Sequence, residues 1–221
     1  GNCYPGTVHI SYDRIGIGRP EFLAMQKIII TLTASLGIWL PQMLLAQGTL
    51  YLSNLGEASA GGTVVASDAW LAESFLTGTN SSGYYLNSIQ LLMNQASGSP
   101  GGFNLCLYGN GAFPGHSLGG LSGLEPSTGG VYSYSNPSLT LLPSTYYFLV
   151  LTAATPTPQG SYSQSYSASF DYGSSDGWIL STYRYTSTDG SSWTRGGYPG
   201  YSFQFAVEAT AIPEPSVPAI M

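Results

Sequence analysis

The chain has 221 residues, a formal net charge of −6, 7% charged side chains and 13% aromatics. Lys27 is its single lysine, and beyond residue 48 the only cations are Arg184 and Arg195. So acidic a chain cannot neutralise a phosphate backbone, which excludes nucleic acid as a partner. Its aromatic content excludes a disordered polymer and predicts a folded core.

Residues 1–24 show no sustained helical or strand period. From Met25 the sequence reads MQKIIITLTASLGIWLPQMLLAQ. Lys27 gives a positive start and Ile28 to Leu40 an apolar run. Pro41 breaks that run, and the small residue Ala46 stands before Gln47 where cleavage belongs. This is the build of a secretory signal peptide, with a helical apolar segment over 25–46. The expectation is that translation begins at Met25 and that residues 1–24 are upstream DNA read as protein. The alternative is an ordered extension followed by an uncleaved anchor, because the apolar run is near the ~20-residue spanning length. A signal peptide implies export, with the secretion channel and a signal peptidase acting at Ala46–Gln47 as partners.

Residues 48–210 are predicted to form one β-domain. Apolar residues recur with period two, and clusters of Gly, Ser, Asn and Pro separate the runs. Strands are predicted at 49–53, 63–66, 69–76, 84–91, 102–108, 131–134, 138–142, 145–152, 162–170, 178–185 and 201–207. In the fourth, Leu86, Ser88 and Gln90 share one face while Tyr85, Asn87, Ile89 and Leu91 share the other, so the alternation is imperfect. Tyr201, Phe203, Phe205 and Val207 alternate cleanly. Residues 145–152 are continuously apolar and suit a strand buried on both faces. The fold class is all-β: a two-sheet antiparallel sandwich or jelly-roll-like domain.

Gly115-His116-Ser117-Leu118-Gly119 matches the G-x-S-x-G nucleophile elbow. That chemistry needs a serine on a strand-to-helix turn, with an acid and then a histidine later in the chain. The only histidines are His9 and His116, so none follows Ser117. A glycine-rich loop joining two strands is predicted here, and the chain is expected not to be an enzyme. Cys106 has no cysteine partner once residues 1–24 are set aside; it is predicted to be a small buried residue, with an intermolecular bridge as the alternative. A Cys/His set for zinc is lacking. Asp171, Asp176 and Asp189 match no EF-hand spacing, and Asp176-Gly177 and Asp189-Gly190 are predicted to be turns. No metal or cofactor is expected. Asn80-Ser81-Ser82 is a sequon letter for letter and is predicted to be a turn before a strand.

Five aromatics near the C-terminal end, Trp178, Tyr183, Tyr185, Trp193 and Tyr198, accompany Arg184 and Arg195, with Tyr201 close by. If two or three were exposed and coplanar, their faces would stack on pyranose rings, and the domain would bind polysaccharide. If buried, they are core residues.

The sequence ends AIPEPSVPAIM over 211–221. Pro213-Glu214-Pro215 fixes an extended backbone. This tail resembles the start of the PEP-CTERM sorting signal of Gram-negative bacteria that make exopolysaccharide. There the tripeptide precedes a transmembrane helix and a basic cluster; here an apolar run begins at Val217 as the sequence stops, so a truncated signal is expected. The passages Trp70 to Phe75, TGTNSSGYYLNSIQLLM, PGHSLGGLSG, LTLLPSTYYFLVL and YSFQFAVEA together resemble the secreted β-domain called choice-of-anchor R. The resemblance covers about residues 50–210. It implies a β-domain shared among several C-terminal anchors, and an exosortase-type enzyme acting near Pro213–Pro215. Together these signals predict an exported, non-enzymatic surface or extracellular-matrix protein of a Gram-negative envelope. A secreted carbohydrate-binding module is the alternative.

Overall fold

The structure, a computed structural model, describes residues 48–109, 111–196 and 201–215, and all regular structure among them is β. The predicted signal-peptide helix, the Ala46–Gln47 cleavage region and residues 216–221 lie outside the described residues.

The strands in chain order are β1 (Thr49–Ser53), β2 (Ser59–Val65), β3 (Trp70–Leu76), β4 (Tyr84–Gly98) and β5 (Asn104–Tyr108). Then come β6 (Ser117–Gly123), β7 (Gly130–Ser135), β8 (Thr140–Leu141), β9 (Tyr146–Thr152) and β10 (Gly160–Ser167). The last five are β11 (Gly173–Ser174), β12 (Ile179–Ser187), β13 (Thr194–Gly196), β14 (Ser202–Phe203) and β15 (Phe205–Ala211). They form two antiparallel layers. One runs β11-β1-β15-β4-β7, with β10 on the far half of β4 carrying β2 and β14. The other runs β6-β5-β9-β3-β12-β13.

β6 belongs to both layers. Leu121 pairs with Leu105 of β5, while Ser122 and Gly123 pair with Ser135 and Tyr134 of β7. A strand that switches sheets makes a corner of a sandwich. The corner needs close approach: a side chain at Gly123 would run into the Tyr134 ring and the Ser133 carbonyl. The segment predicted as a loop around Ser117 is therefore a strand, and its glycines serve the corner. Other departures are local: the strand predicted at 201–207 is split at Gln204 and runs on to Ala211, and the one predicted at 162–170 spans Gly160–Ser167. β4 runs on to Gly98, β2 begins four residues early at Ser59, and the short β11 and β13 carry no periodic signal.

β4 also explains the imperfect alternation. Ser88 faces Glu208 of β15, but Leu86 faces Ala209, so Asn87 is one extra residue in the pairing. The bulge shifts the phase by one, which sends Leu86, Ile89, Leu91 and Met93 all into the core. A sequence window sees this only as broken alternation.

Residues of both layers meet in one core, including Leu52, Ile89, Phe205 and Val207 from the first and Leu71, Phe75, Leu107 and Leu149 from the second. Trp178 sits at its centre. Its ring stacks on Tyr51 at 5.0 Å and on Phe75 at 5.8 Å, and Tyr84 meets it edge-on at 5.0 Å. The outer face of the second layer is buried as well. Trp70, Ala72, Cys106, Tyr108, Phe148, Val150 and Tyr185 form a second cluster there. β9 is thus buried on both faces, as its continuous apolar run predicts. Cys106 is buried as predicted, but it is disulfide-bonded rather than lone.

Truncating Trp178 removes a ring that touches β1, β3 and β4, strands of both layers. Trp178→Ala is expected to cost about 3–5 kcal/mol of unfolding free energy. Urea unfolding followed by near-ultraviolet circular dichroism measures it.

Candidate functional site

The aromatic set predicted for sugar stacking is dispersed. Trp178 is 1% exposed and belongs to the core. Tyr185 is buried in the outer cluster, where Phe148 meets it edge-on at 5.3 Å and Phe113 at 5.8 Å. Trp193 is half-buried against the same cluster. Tyr198 lies outside the described residues. Tyr183 is 42% exposed, yet the Arg195 guanidinium lies 3.3 Å above its ring and occupies one face. Tyr201 meets Tyr166 at an interplanar angle of 84°, and Arg184 is 6.0 Å from both rings. No coplanar exposed pair arises among these described rings, so they do not form a stacking platform. The register shift in β12 between Leu180 and Arg184 is one cause, because residues on either side of it pair in different phase with β3.

Ser117 opens strand β6 opposite Tyr108 and is not on a strand-to-helix turn. Asp176 and Asp189 sit at turns. Asp176 and Gly177 have φ of 52° and 79°, and Trp178 N–H donates to Ser175 O at 3.0 Å. Asp189 Oδ1 accepts from Ser191 N at 2.8 Å, Ser192 N at 2.9 Å and Ser187 Oγ at 3.0 Å. Those donors hold its carboxyl well below the usual range. Among the described residues no three His, Cys, Asp or Glu side chains converge as a metal site.

A buried polar seam lies where the chain passes from β14 to β15. Residues up to Phe203 pair with β10, and from Phe205 onward they pair with β4. Backbone groups at this crossing lose ladder partners, and buried side chains replace them. Asn54 Oδ1 accepts from Phe205 N at 2.8 Å, and its amide donates to Phe203 O at 2.9 Å. Gln204 Oε1 accepts from Ser165 Oγ at 2.7 Å. Glu73 Oε2 accepts from Phe203 N at 2.6 Å, while Glu73 Oε1 is buried without a hydrogen-bond partner. Burial pushes the Glu73 carboxyl well above the usual carboxylate range; the Phe203 N–H and the Arg184 charge pull it back only in part. Sequence patterning did not single out Glu73, because an acid between Ala72 and Ser74 has no signature.

One cavity is well formed. It has a volume of 450 Å³ and lies between the β2–β3 connection and the β12–β13 hairpin. Thr63, Asp68, Trp70, Thr186, Ser192 and Thr194 are among its lining residues. Only Thr63 and Trp70 fall in predicted strands, and none was predicted to line a site, since Ser and Thr are abundant throughout the chain.

The two ends of the domain lie side by side. Thr49 of β1 pairs with Ala209 of β15. After β15 the chain is tied once more, because Ile212 N–H donates to Gly83 O at 3.0 Å and the Asn80 amide donates to Ile212 O at 3.0 Å. Asn80 is therefore a turn residue that also clamps the tail. Pro213, Glu214 and Pro215 follow, all exposed, with Glu214 Oε1 accepting from Ser81 Oγ at 2.8 Å. Among the described residues no helix is long and apolar enough to cross a membrane. No protein-family model and no curated protein matches the chain.

The Glu73 shift has a definite sign. A carboxyl whose folded value is raised binds its proton more tightly when folded. Stability therefore falls as pH rises from the unfolded value toward the folded one. As pH rises above the ordinary glutamate value the wild-type unfolding midpoint in urea is expected to drop, and Glu73→Gln is expected to flatten that slope. The Asp189 shift runs the other way and acts below about pH 4, outside this window.

Proposed function

We propose that this chain is an exported, non-enzymatic surface or extracellular-matrix protein, sorted or anchored through Pro213-Glu214-Pro215. The observation that carries the proposal is the placement of that tripeptide. It is exposed, and it follows directly on the last hydrogen bonds that tie the tail to the domain at Ile212. A processing enzyme reaches such a segment without unfolding anything. The first strand, β1, starts at the same end, since Thr49 lies beside Ala209. Both expected cuts then fall near one pole of the β-domain. The low charge, the absence of a later histidine to serve Ser117 and the strand setting of that serine agree with a non-catalytic role. The resemblance to choice-of-anchor and PEP-CTERM proteins belongs to the same reading, with the secretion channel, a signal peptidase and an exosortase-type enzyme as processing partners. A carbohydrate-binding module built on the Trp178, Tyr183, Tyr185 and Trp193 rings is not retained, because two of the four are buried.

Mass-spectrometric mapping of both termini, after separating cells, envelope and medium, tests the proposal. The expected result is an N-terminus at Gln47 or Gly48 and a C-terminal cut near Pro213–Pro215 in the envelope or medium fraction. Replacing Pro213, Glu214 and Pro215 with alanine is expected to abolish the second cut and leave the first. An intact chain confined to the cytoplasm overturns it.

A further inference from the structure

We infer that the 450 Å³ cavity between the β2–β3 connection and the β12–β13 hairpin is a binding site for the uncharged end of a saccharide. The size is near the low end of small-molecule sites, about 300–1,000 Å³, and suits roughly one or two hexose rings. The lining sets hydroxyl groups beside a predominantly apolar surface, a combination that suits the two kinds of face a sugar ring presents. Six of its eleven residues are Ser or Thr, one is Asp68, and none is a cation. Ser187 Oγ is committed to the Asp189 turn. The hydroxyls of Thr63, Thr186, Thr188, Ser192 and Thr194 each both donate and accept. A sugar presents the same thing, a ring of vicinal hydroxyls, so the two sets satisfy one another. A phosphate or sulfate would meet no cation and one carboxylate.

Asp68 adds direction. Its Oδ1 accepts from Thr157 N at 2.8 Å and from Thr157 Oγ1 at 2.7 Å. These bonds fix the carboxylate and hold its pKa below the usual value. The carboxylate stands among the lining residues, and its charge repels a uronate. Trp70, Leu71, Ala69 and Val64 supply an apolar floor and wall for the C–H face of a ring. Trp70 is 6% exposed, so it is a rigid floor and not a stacking platform. Its indole N–H donates to Ser67 O at 2.9 Å, and Gly190 lies so close to its ring that no side chain fits there. The hairpin wall is fixed in turn by Asp189, whose carboxylate gathers the Ser191 and Ser192 N–H groups. Both walls are therefore set before a ligand arrives, which lowers the ordering cost of binding.

The location fits presentation. β3 starts at Trp70 in the cavity and ends at Leu76, beside Ile179 and near the loops that clamp the tail. Seven residues of strand put the cavity about 20 Å from the end where Thr49 and Ile212 lie. The inference does not depend on export, because it rests on the lining alone.

Titration calorimetry of the full chain, with neutral glucose-, galactose- and mannose-based oligosaccharides against uronic-acid oligomers and a Ser/Thr-rich peptide, tests it. At least one neutral oligosaccharide is expected to bind, with uronates weaker. Ser192→Ala combined with Thr194→Val is expected to weaken binding about ten-fold, from two lost hydrogen bonds. Thr194→Trp fills the cavity from an exposed edge strand and is expected to abolish binding, with the urea midpoint of each variant serving as the check on folding. A folded chain that binds no neutral oligosaccharide overturns the inference. So does undiminished binding by folded Thr194→Trp, tighter binding of uronates, or binding of the peptide alone.

Discussion

Trp178 is the residue on which the two layers close. Its ring lies flat between Tyr51 of β1 and Phe75 of β3, with Tyr84 of β4 against its edge. Those rings belong to different layers, so the stack spans the interface rather than one sheet. Burying so large a side chain supplies both apolar area and ring geometry that other residues cannot copy. The tight turn before it, with Asp176 and Gly177 at positive φ, exists to deliver the ring into that slot. The Tyr84 hydroxyl also accepts from Asn80 N at 3.1 Å, and Asn80 clamps Ile212. The same knot thus holds the core and the root of the C-terminal tail.

The polar seam does what the aromatic stack cannot. A sandwich in which residues 202–205 leave one partner strand for another has backbone donors and acceptors stranded in the interior. Asn54, Gln164, Gln204 and Glu73 answer them one by one. Replacing these side chains by apolar ones of equal size would improve the transfer energy and orphan the backbone. The seam therefore fixes where the chain crosses, while the stack fixes how the layers close. Glu73 is the costly member, since half of its carboxyl has no partner.

These two devices give the domain a polarity. One end carries Thr49 and Ala209, the Asn80 turn and the exposed Pro213–Pro215 segment. The other end carries the β2–β3 connection, the β12–β13 hairpin and the cavity between them. The tail and the cavity-bearing loops therefore lie at opposite ends of the same strands. Loops at the far end are then free to vary in chemistry without touching the tail.

The sequence by itself determined the all-β class and the position of most strands, because period-two patterning and turn residues are local properties. The β9 run, buried on both faces, and the turns at Asp176-Gly177 and Asp189-Gly190 were legible for that reason. It also determined that Ser117 has no later histidine. Only the tertiary structure decided that Ser117 lies in a corner strand, since that corner exists through pairing with both β5 and β7. Only it placed Trp178 and Tyr185 inside, because an aromatic in a polar stretch has no pattern that says which side it faces. The bulge at Asn87, the acid at Glu73 and the hydroxyl-lined cavity belong to the same class. Each depends on which distant strand lies alongside, and no window along the chain contains that neighbour.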